Sequence, residues 1–410
     1  MNGPVMNGPT MNGAAPGEAY LAVELTGAGR HPAAWRLPDA APGELFTAGY
    51  WTGLAQLADG AGLDFLVIPD SFAPPAEGPG AEATVRGRLD AVAIAARVAP
   101  VTRSIGLVPA ATVTHTEPFH LSKAIATLDF VSLGRAGWQP SVSRTQAEAD
   151  LFGRRDAAPA EVLWREVGEA VEVVVRLWDS WEDDAVIRDV STGRYVDRDK
   201  LHYIDFTGEF FSVKGPSITP RSPQARPPVV LHLNEGVPDG ADEPGVLAVA
   251  GRWADVVRLS AADLGAAAEA RTRVRAAVAA AGRDPDGVPV LLDVGTLLAP
   301  TADEAARTAD RLDGWAEAAG VPAGDLSGSV SWVGAAEQLA GLIGDAVHGG
   351  AADGVTLIPW ALPSGLRLVA NELVPLLRER GLRPAAARGG GLRERFGLSR
   401  PANYFTEAQV

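Results

Sequence analysis

The sequence predicts an α/β fold, a (β/α)8 TIM barrel with a long insertion containing a β-hairpin lid after strand 4. Three observations lead to this prediction. Eight apolar runs of strand length recur along the chain, most of them lack strict alternation, and helical patterns separate them. A barrel core of this type needs about 250 residues. The chain has 410 residues, so it can hold that core together with an insertion and terminal segments.

The predicted strands are continuous apolar runs, which are typical of a parallel sheet covered on both faces. They span Tyr20 to Leu25, Phe65 to Pro69, Ser104 to Pro109, Gly137 to Val142, Val229 to Leu233, Val256 to Leu259, Val290 to Leu298 and Val355 to Ile358. The alternative fold is a doubly wound open sheet, which would carry a glycine fingerprint after its first strand. Gly27-Ala28-Gly29 lacks the third glycine and a following helix, so it is predicted to be a turn.

Helical patterns lie between these runs. The clearest span Gly53 to Ala61, Leu89 to Val98, Pro118 to Phe130, Ala266 to Ala281 and Leu366 to Arg380. Thr301 and Glu304 have the spacing of an N-terminal capping box, and Gly282 and Gly381 are suited to end the helices that precede them.

Three regions are predicted to lie outside the regular barrel pattern. Residues 1–18 repeat a Met-Asn-Gly unit and are predicted to be disordered, residues 19–383 form the barrel, and residues 384–410 form a tail. The insertion covers about 144–228. Within the insertion, the stretch from Leu177 to Pro216 contains the end of a helix, followed by turn residues and short apolar runs. This pattern predicts a loop with a small hairpin that acts as a lid.

Composition excludes several classes of protein. A formal net charge of −15 and a pI near 4.9 argue against a nucleic-acid partner, because phosphate backbones require clustered positive charge. Without cysteine there is no disulfide and no thiol nucleophile, as in a reducing compartment. The chain shows neither a secretion signal nor an apolar stretch long enough for a membrane span, so we expect a cytoplasmic protein.

Polar residues follow the predicted strands, where a barrel places its functional groups. They are Asp70 and Ser71, then Thr112, Thr114 and His115, then Gln139 to Ser143, then His232, Asn234 and Glu235, and finally Pro359 and Trp360. Among them His115 is the candidate proton donor at the barrel mouth. The acidic run from Glu182 to Asp184 is interpreted as a solvated loop, and no metal site is predicted.

Ordered motifs resemble a known family. Glu117–Lys123 (EPFHLSK), Thr127–Asp129 (TLD) and Gly134–Trp138 (GRAGW) resemble the bacterial luciferase-like flavin monooxygenases. The stretch Leu177–Pro216 is similar to the insertion of the branch that contains nitrilotriacetate monooxygenase, dibenzothiophene sulfone monooxygenase and pristinamycin synthase. The resemblance implies a monooxygenase that inserts one oxygen atom from O2 into a small or medium organic substrate. It implies reduced FMN as cofactor, a separate flavin reductase as partner, and a homodimer or homotetramer.

The resemblance also implies which positions contact the flavin. Asp70 and Ser143 match the family's residues, whereas Ala110, Ala160, Trp164, Asn234 and Glu235 occupy flavin-contact positions with different side chains. Glu235 places a carboxylate where the family closes on the FMN phosphate, and like charges repel. Two alternatives therefore stay open, a barrel with a degenerate flavin site that serves as a non-catalytic binding or structural partner, and a barrel that binds a deazaflavin.

Overall fold

The computed structural model describes residues 13–75, 77–78, 80–233, 243–321 and 329–407. The predicted disordered segment 1–18 lies mostly outside these residues. Thirteen strands are present in the described part of the chain: β1 Tyr20–Glu24, β2 Phe65–Ile68, β3 Gly106–Thr112, β4 Gln139–Ser141, β5 Val186–Asp189, β6 Arg194–Val196, β7 Phe206–Thr207, β8 Ser212–Val213, β9 Val230–Leu233, β10 Val256–Leu259, β11 Val290–Leu298, β12 Val330–Gly334 and β13 Gly354–Pro359.

Eight of these strands form a parallel barrel. Their order is β4-β3-β2-β1-β13-β11-β10-β9, and a parallel bridge between Trp138 and Val229 brings the two ends together. Each of the eight predicted strands corresponds to one barrel strand, so the barrel prediction is confirmed. Strand β12 was not predicted. It pairs with the second half of β11, and its five residues are mostly half-buried or exposed, so it lacks the continuous apolar run of the other strands.

Helices cover the outside of the barrel. The α-helices are α1 Ala48–Ala61, α2 Ala91–Val98, α3 Pro118–Val131, α4 Gln146–Phe152, α5 Ala160–Asp179, α6 Glu243–Trp253, α7 Leu264–Ala280, α8 Ala302–Ala318, α9 Ala336–His348, α10 Ser364–Leu368, α11 Val374–Glu379, α12 Leu392–Arg395 and α13 Tyr404–Glu407. A π-helical turn, Val369–Leu373, joins α10 to α11. Among the described residues no helix is both long and apolar enough to cross a bilayer.

Alternate strand residues face opposite sides of the barrel wall, as the two-residue period of a strand requires. One set packs against the helices. The other set fills the interior near the strand N-termini and comprises Tyr20, Ala22, Phe65, Val67, Val108, Val230, Val256 and Leu291. This interior set is apolar, so it forms a conventional hydrophobic layer.

The C-terminal tail closes the N-terminal end of the barrel. Leu392 and Phe396 pack on the apolar interior layer. Gly106 leaves room for Leu392, because a Cβ at Gly106 would lie 2.5 Å from Leu392 Cδ1. Arg388 Nη1 donates to the buried carboxylate of Asp64 at 2.9 Å, which fixes the tail to the start of β2. The tail is therefore part of the barrel core.

The insertion after β4 contains α4, α5 and two small antiparallel hairpins, β5–β6 and β7–β8. Three backbone N–H groups of residues 209–211 donate to the Glu169 carboxylate on α5, at 2.6–2.8 Å. His202 stacks on Phe405 of α13 with the ring centres 4.9 Å apart. These contacts hold the β7–β8 hairpin against α5 and the segment before it against α13, and they do not confirm the predicted role as a lid.

Candidate functional site

A cavity of about 670 Å³ opens at the C-terminal end of the barrel, within the size range of small-molecule sites. Its walls come from the ends of β1 and β2, from the loop between β1 and α1, and from residues 84–89. Its floor comes from the barrel interior, where Glu24, Gln139, His232 and Asp293 line it. None of the described insertion residues, 144–228, lines this cavity.

The floor is built around Arg258, which is fully buried in the middle of β10. Its guanidinium donates to Glu24 Oε2 at 2.8 Å, to Gln139 Oε1 at 2.9 Å, and to the two carboxylate oxygens of Asp293 at 3.1 and 2.9 Å. These side chains stand one layer above the apolar interior set, on β1, β4 and β11. Arg258 on β10 therefore joins side chains of three other strands, and its planar guanidinium has the several fixed donors that such an arrangement needs.

The charged states of this cluster support one another. Burial alone would raise the pKa of Asp293, but the positive charge of Arg258 and the hydrogen bonds from His232 and Arg258 outweigh it and lower that pKa. Burial would lower the pKa of Arg258, and the carboxylates of Asp293 and Glu24 instead raise it. A buried ion survives only when it is paired and hydrogen-bonded. The floor thus holds one cation and two anions.

His232 joins this cluster to the cavity. Its Nε2 lies 3.0 Å from Asp293 Oδ2 and 3.4 Å from Ser260 Oγ, and its side chain is 14% exposed. In the neutral ring, a proton on Nε2 is the tautomer that lets His232 donate to Asp293, and Nδ1 is then the acceptor nitrogen. No described residue donates to Nδ1. A ring that a buried carboxylate orients in this way is suited to accept a proton from a bound molecule.

Asp70 lies on the cavity wall after β2, where the resemblance places a flavin contact. Its carboxylate accepts hydrogen bonds from Ser71 N at 2.8 Å and from Ala91 N at 3.0 Å. Burial raises the pKa of Asp70 in spite of these hydrogen bonds. Of the residues predicted to contact flavin and described by the structure, Asp70 lies on the cavity.

Ser143 and His115 lie near the ends of β4 and β3. Ser143 N donates to Thr114 Oγ1 at 3.1 Å, while the buried Ser143 Oγ has no hydrogen-bond partner in the described part of the chain. His115 stacks on Phe152 at 4.8 Å between ring centres, and its buried Nδ1 also lacks a partner there. Burial and the nearby Arg155 lower the pKa of His115. Neither side chain lines the cavity.

The other predicted flavin contacts are distributed over two elements. Ala110 is buried inside the barrel on β3, and Ala160 begins α5. Trp164 is 1% exposed and packs on Gly245 of α6, where a Cβ would lie 2.6 Å from the Trp164 Cβ. Asn234 and Glu235 lie outside the described residues. These assignments remain predictions.

Sequence reasoning missed the role of Glu24, Arg258 and Asp293. Each is a charged residue inside an otherwise apolar strand, in YLAVE, VVRL and VLLDVG respectively. Fully buried charges are rare unless they are paired. That pattern was visible in the sequence and pointed to a polar barrel interior. His232, one of the polar residues that follow the predicted strands, lies on the cavity floor.

The loop between β1 and α1 forms one cavity wall and is fastened to the end of β13. Arg30 N donates to Pro359 O at 2.9 Å and His31 N to Trp360 O at 3.1 Å. Gly29, with a φ of +118°, sits so close that a Cβ would lie 2.3 Å from Trp360 O. Gly27 also has a positive φ, of +46°, but a Cβ there would meet no atom within 4 Å.

We expect Gly29→Ala to lower the free energy of unfolding by about 2–5 kcal/mol, because it adds a backbone clash to an unfavourable φ. Gly27→Ala is the matched control and should cost about 1–2 kcal/mol, since it adds the φ penalty alone. Urea denaturation of both variants measures the difference. Equal losses would show that the loop is free to move away from Trp360.

Comparisons with known proteins identify the family of this chain. A model of the family described as luciferase-like monooxygenase matches residues 27–354. The chain is 30% identical to N-acetyl-S-(2-succino)cysteine monooxygenase of Bacillus subtilis (strain 168), over 94% of this chain and 98% of that protein. It is 30% identical to nitrilotriacetate monooxygenase component A of Aminobacter aminovorans, over 92% and 95% of the two chains.

Solved structures share the fold. A riboflavin lyase, RcaE, determined with modified FMN and the substrate riboflavin, superimposes with a TM-score of 0.79 at 25% identity, over 93% of this chain and 96% of that one.

Proposed function

Because the chain belongs to the luciferase-like monooxygenase family, we propose that it inserts one oxygen atom from O2 into a small or medium organic substrate, with reduced FMN as cofactor. Family membership confirms the recognition made from the sequence motifs and supports an oxidoreductase. The oxygen acceptor, the flavin species and the reductase are parts of the proposal.

The observation that carries the proposal is the cavity at the C-terminal end of the barrel. It combines apolar walls, which include Leu25 and Ile68, with polar groups at Asp70, Gln139 and His232. A flavin-dependent oxygenation needs both features, because the ring requires apolar contact and the reacting centre requires exclusion of water.

The residues present fit a flavin. Ser143 Oγ and His115 Nδ1 are buried polar atoms without a partner among the described residues. They follow β4 and β3 at the same end of the barrel as the cavity, although neither side chain lines it. Buried polar groups are normally hydrogen-bonded, so these atoms are available to a heterocycle that carries donors and acceptors. Asp70 offers a carboxylate on the adjacent wall.

Each group has a distinct proposed task. Asp70 and Ser143 orient the flavin, the apolar wall excludes water, and His232 exchanges a proton at Nδ1 while Asp293 holds its ring. Reduced FMN supplies the two electrons that activate O2. We also propose that a separate flavin reductase supplies the reduced flavin, that the protein acts in the cytoplasm, and that it forms a homodimer or homotetramer.

The proposal is tested by anaerobic titration of the purified protein with reduced FMN, followed by ultrafiltration. We expect a dissociation constant well below about 1 mM. Ser143→Ala should weaken binding about 3- to 10-fold, the loss expected for one hydrogen bond. Ser399→Ala, an exposed serine in the tail, is the control. If the wild-type protein shows no binding up to about 1 mM, the proposal fails and the non-catalytic alternative gains support.

A further inference from the structure

We infer that the substrate is an organic anion with an apolar body, and that its charged group is bound at the cavity mouth by Arg30 and Arg88. This inference deepens the proposed function and rests on it, because the bound anion is a substrate only if the protein is a monooxygenase. The binding of such an anion to the cavity is testable without any turnover.

The mouth of the cavity is unusually apolar for an exposed surface. Phe46, Val85 and Leu89 line the cavity and are 51%, 40% and 38% exposed. Phe46 reaches across to the wall formed by residues 84–89, since a Cβ at Gly87 would lie 3.6 Å from its Cζ. Exposed apolar side chains that gather at the opening of a cavity mark a ligand-binding groove. They define where the apolar body enters.

Two arginines stand in the same opening. Arg30 and Arg88 both line the cavity and are exposed, although the protein as a whole carries a net charge of −15. Arg88 is held in place by the carbonyl oxygens of Ser71 and Ala73, each at 3.0 Å. Neither guanidinium pairs with a carboxylate of the residues that the structure describes. The nearby Asp70 carboxylate accepts its hydrogen bonds from backbone N–H groups instead.

The strand order separates these arginines from the part of the barrel where the resemblance places the FMN phosphate. Arg30 follows β1 and Arg88 belongs to the segment after β2, whereas the phosphate position follows β9. In the closed order, β9 stands opposite β1, four strands away in either direction. The phosphate therefore does not require these two cations, and they are available to a second molecule.

The charges on the cavity floor set the orientation of the bound anion. Glu24 and Asp293 carry two negative charges against the one positive charge of Arg258. An anionic group is repelled from this floor and attracted to the mouth, so the uncharged end of the molecule points inward towards His232. Low-dielectric walls strengthen this orientation because they reduce screening.

A matched pair of dyes tests the inference on the full-length protein. The probes are 8-anilinonaphthalene-1-sulfonate, an aromatic sulfonate, and N-phenyl-1-naphthylamine, its uncharged analogue, titrated by fluorescence at low ionic strength. We expect the double variant Arg30→Gln/Arg88→Gln to weaken sulfonate binding about tenfold and to change binding of the amine less than twofold. Phe46→Ala should weaken both probes, since it removes the shared apolar contact.

The control is Arg97→Gln/Arg307→Gln, which removes two exposed arginines on α2 and α8 and changes the net charge equally. If this control weakens the sulfonate as much, if both probes weaken equally in the double variant, or if the wild-type protein does not bind the sulfonate saturably, the inference is overturned. Reduced FMN is titrated into the same variants. Sulfonate selectivity without FMN binding would leave the anion site intact and refute the proposed function alone.

Discussion

Arg258→Met is expected to lower the free energy of unfolding by about 3–5 kcal/mol at pH 7, because it leaves the Glu24 and Asp293 carboxylates buried without their cation. Methionine fills a similar volume, so the loss reports charge more than packing. Urea denaturation of the purified variant gives the value. Arg307→Met, an exposed arginine on α8, is the control and should change stability by less than about 0.5 kcal/mol.

Neutralising the carboxylates should rescue this variant. The triple variant Glu24→Gln/Arg258→Met/Asp293→Asn removes all three charges, so most of the lost stability is expected to return. The loss should also shrink as the pH falls. In the wild-type protein the pKa of Asp293 is lowered, so its stabilising contribution is present above the ordinary aspartate pKa of about 4 and is lost below it. Without Arg258 the pKa of Asp293 rises, and protonation relieves the unpaired charge already at higher pH.

A loss that is the same at pH 7 and pH 5, together with no rescue in the triple variant, would contradict this account. It would show that the variant is destabilised by faulty packing rather than by uncompensated charge.

His232→Gln is expected to lower kcat about 100-fold for any substrate that the wild-type protein oxygenates, with a change in KM of less than about threefold. The glutamine amide can still donate to Asp293, but it cannot accept a proton at neutral pH. The free energy of unfolding should therefore stay within about 1 kcal/mol of wild type. Steady-state kinetics and urea denaturation measure the two effects on one protein preparation.

His348→Gln, at the C-terminal end of α9, is the matched control for loss of a histidine. If His232→Gln keeps its kcat, the ring only supports Asp293 and takes no part in proton transfer. If the free energy of unfolding of His232→Gln falls beyond the range expected above, the lower kcat reports a disturbed cavity floor.

The barrel was predictable because its signals are local. Continuous apolar runs such as Phe65–Ile68 and Val230–Leu233 identify buried parallel strands without knowledge of their neighbours, and they agreed with the structure. Asp70 follows β2 and lies on the cavity for a related reason, since the C-terminal ends of all barrel strands meet at one face. Its contact with flavin stays a prediction. Strand β12 was missed because its half-exposed residues resemble a loop.

The insertion shows what local sequence signals do not predict, namely its contacts with distant parts of the chain. Turn residues and short apolar runs predicted one small hairpin, and the structure has two, β5–β6 and β7–β8. The contact of Phe210 with Glu169 on α5 and that of His202 with Phe405 near the C-terminus join segments that are far apart in sequence. The sequence alone could not assign these contacts, and the role of the insertion as a lid stays a prediction.

The sequence alone determined the family, the eight strands and the end of the barrel that carries the site, because motif order and strand patterns are properties of neighbouring residues. The tertiary structure alone decided the composition of the cavity floor. Glu24 and Arg258 are 234 residues apart in the chain, yet their charged atoms lie 2.8 Å apart. The partner of a charge in an apolar strand is fixed only when barrel closure brings β1, β10 and β11 together at the same layer. Pairing through space depends on the register of the strands and not on distance along the sequence.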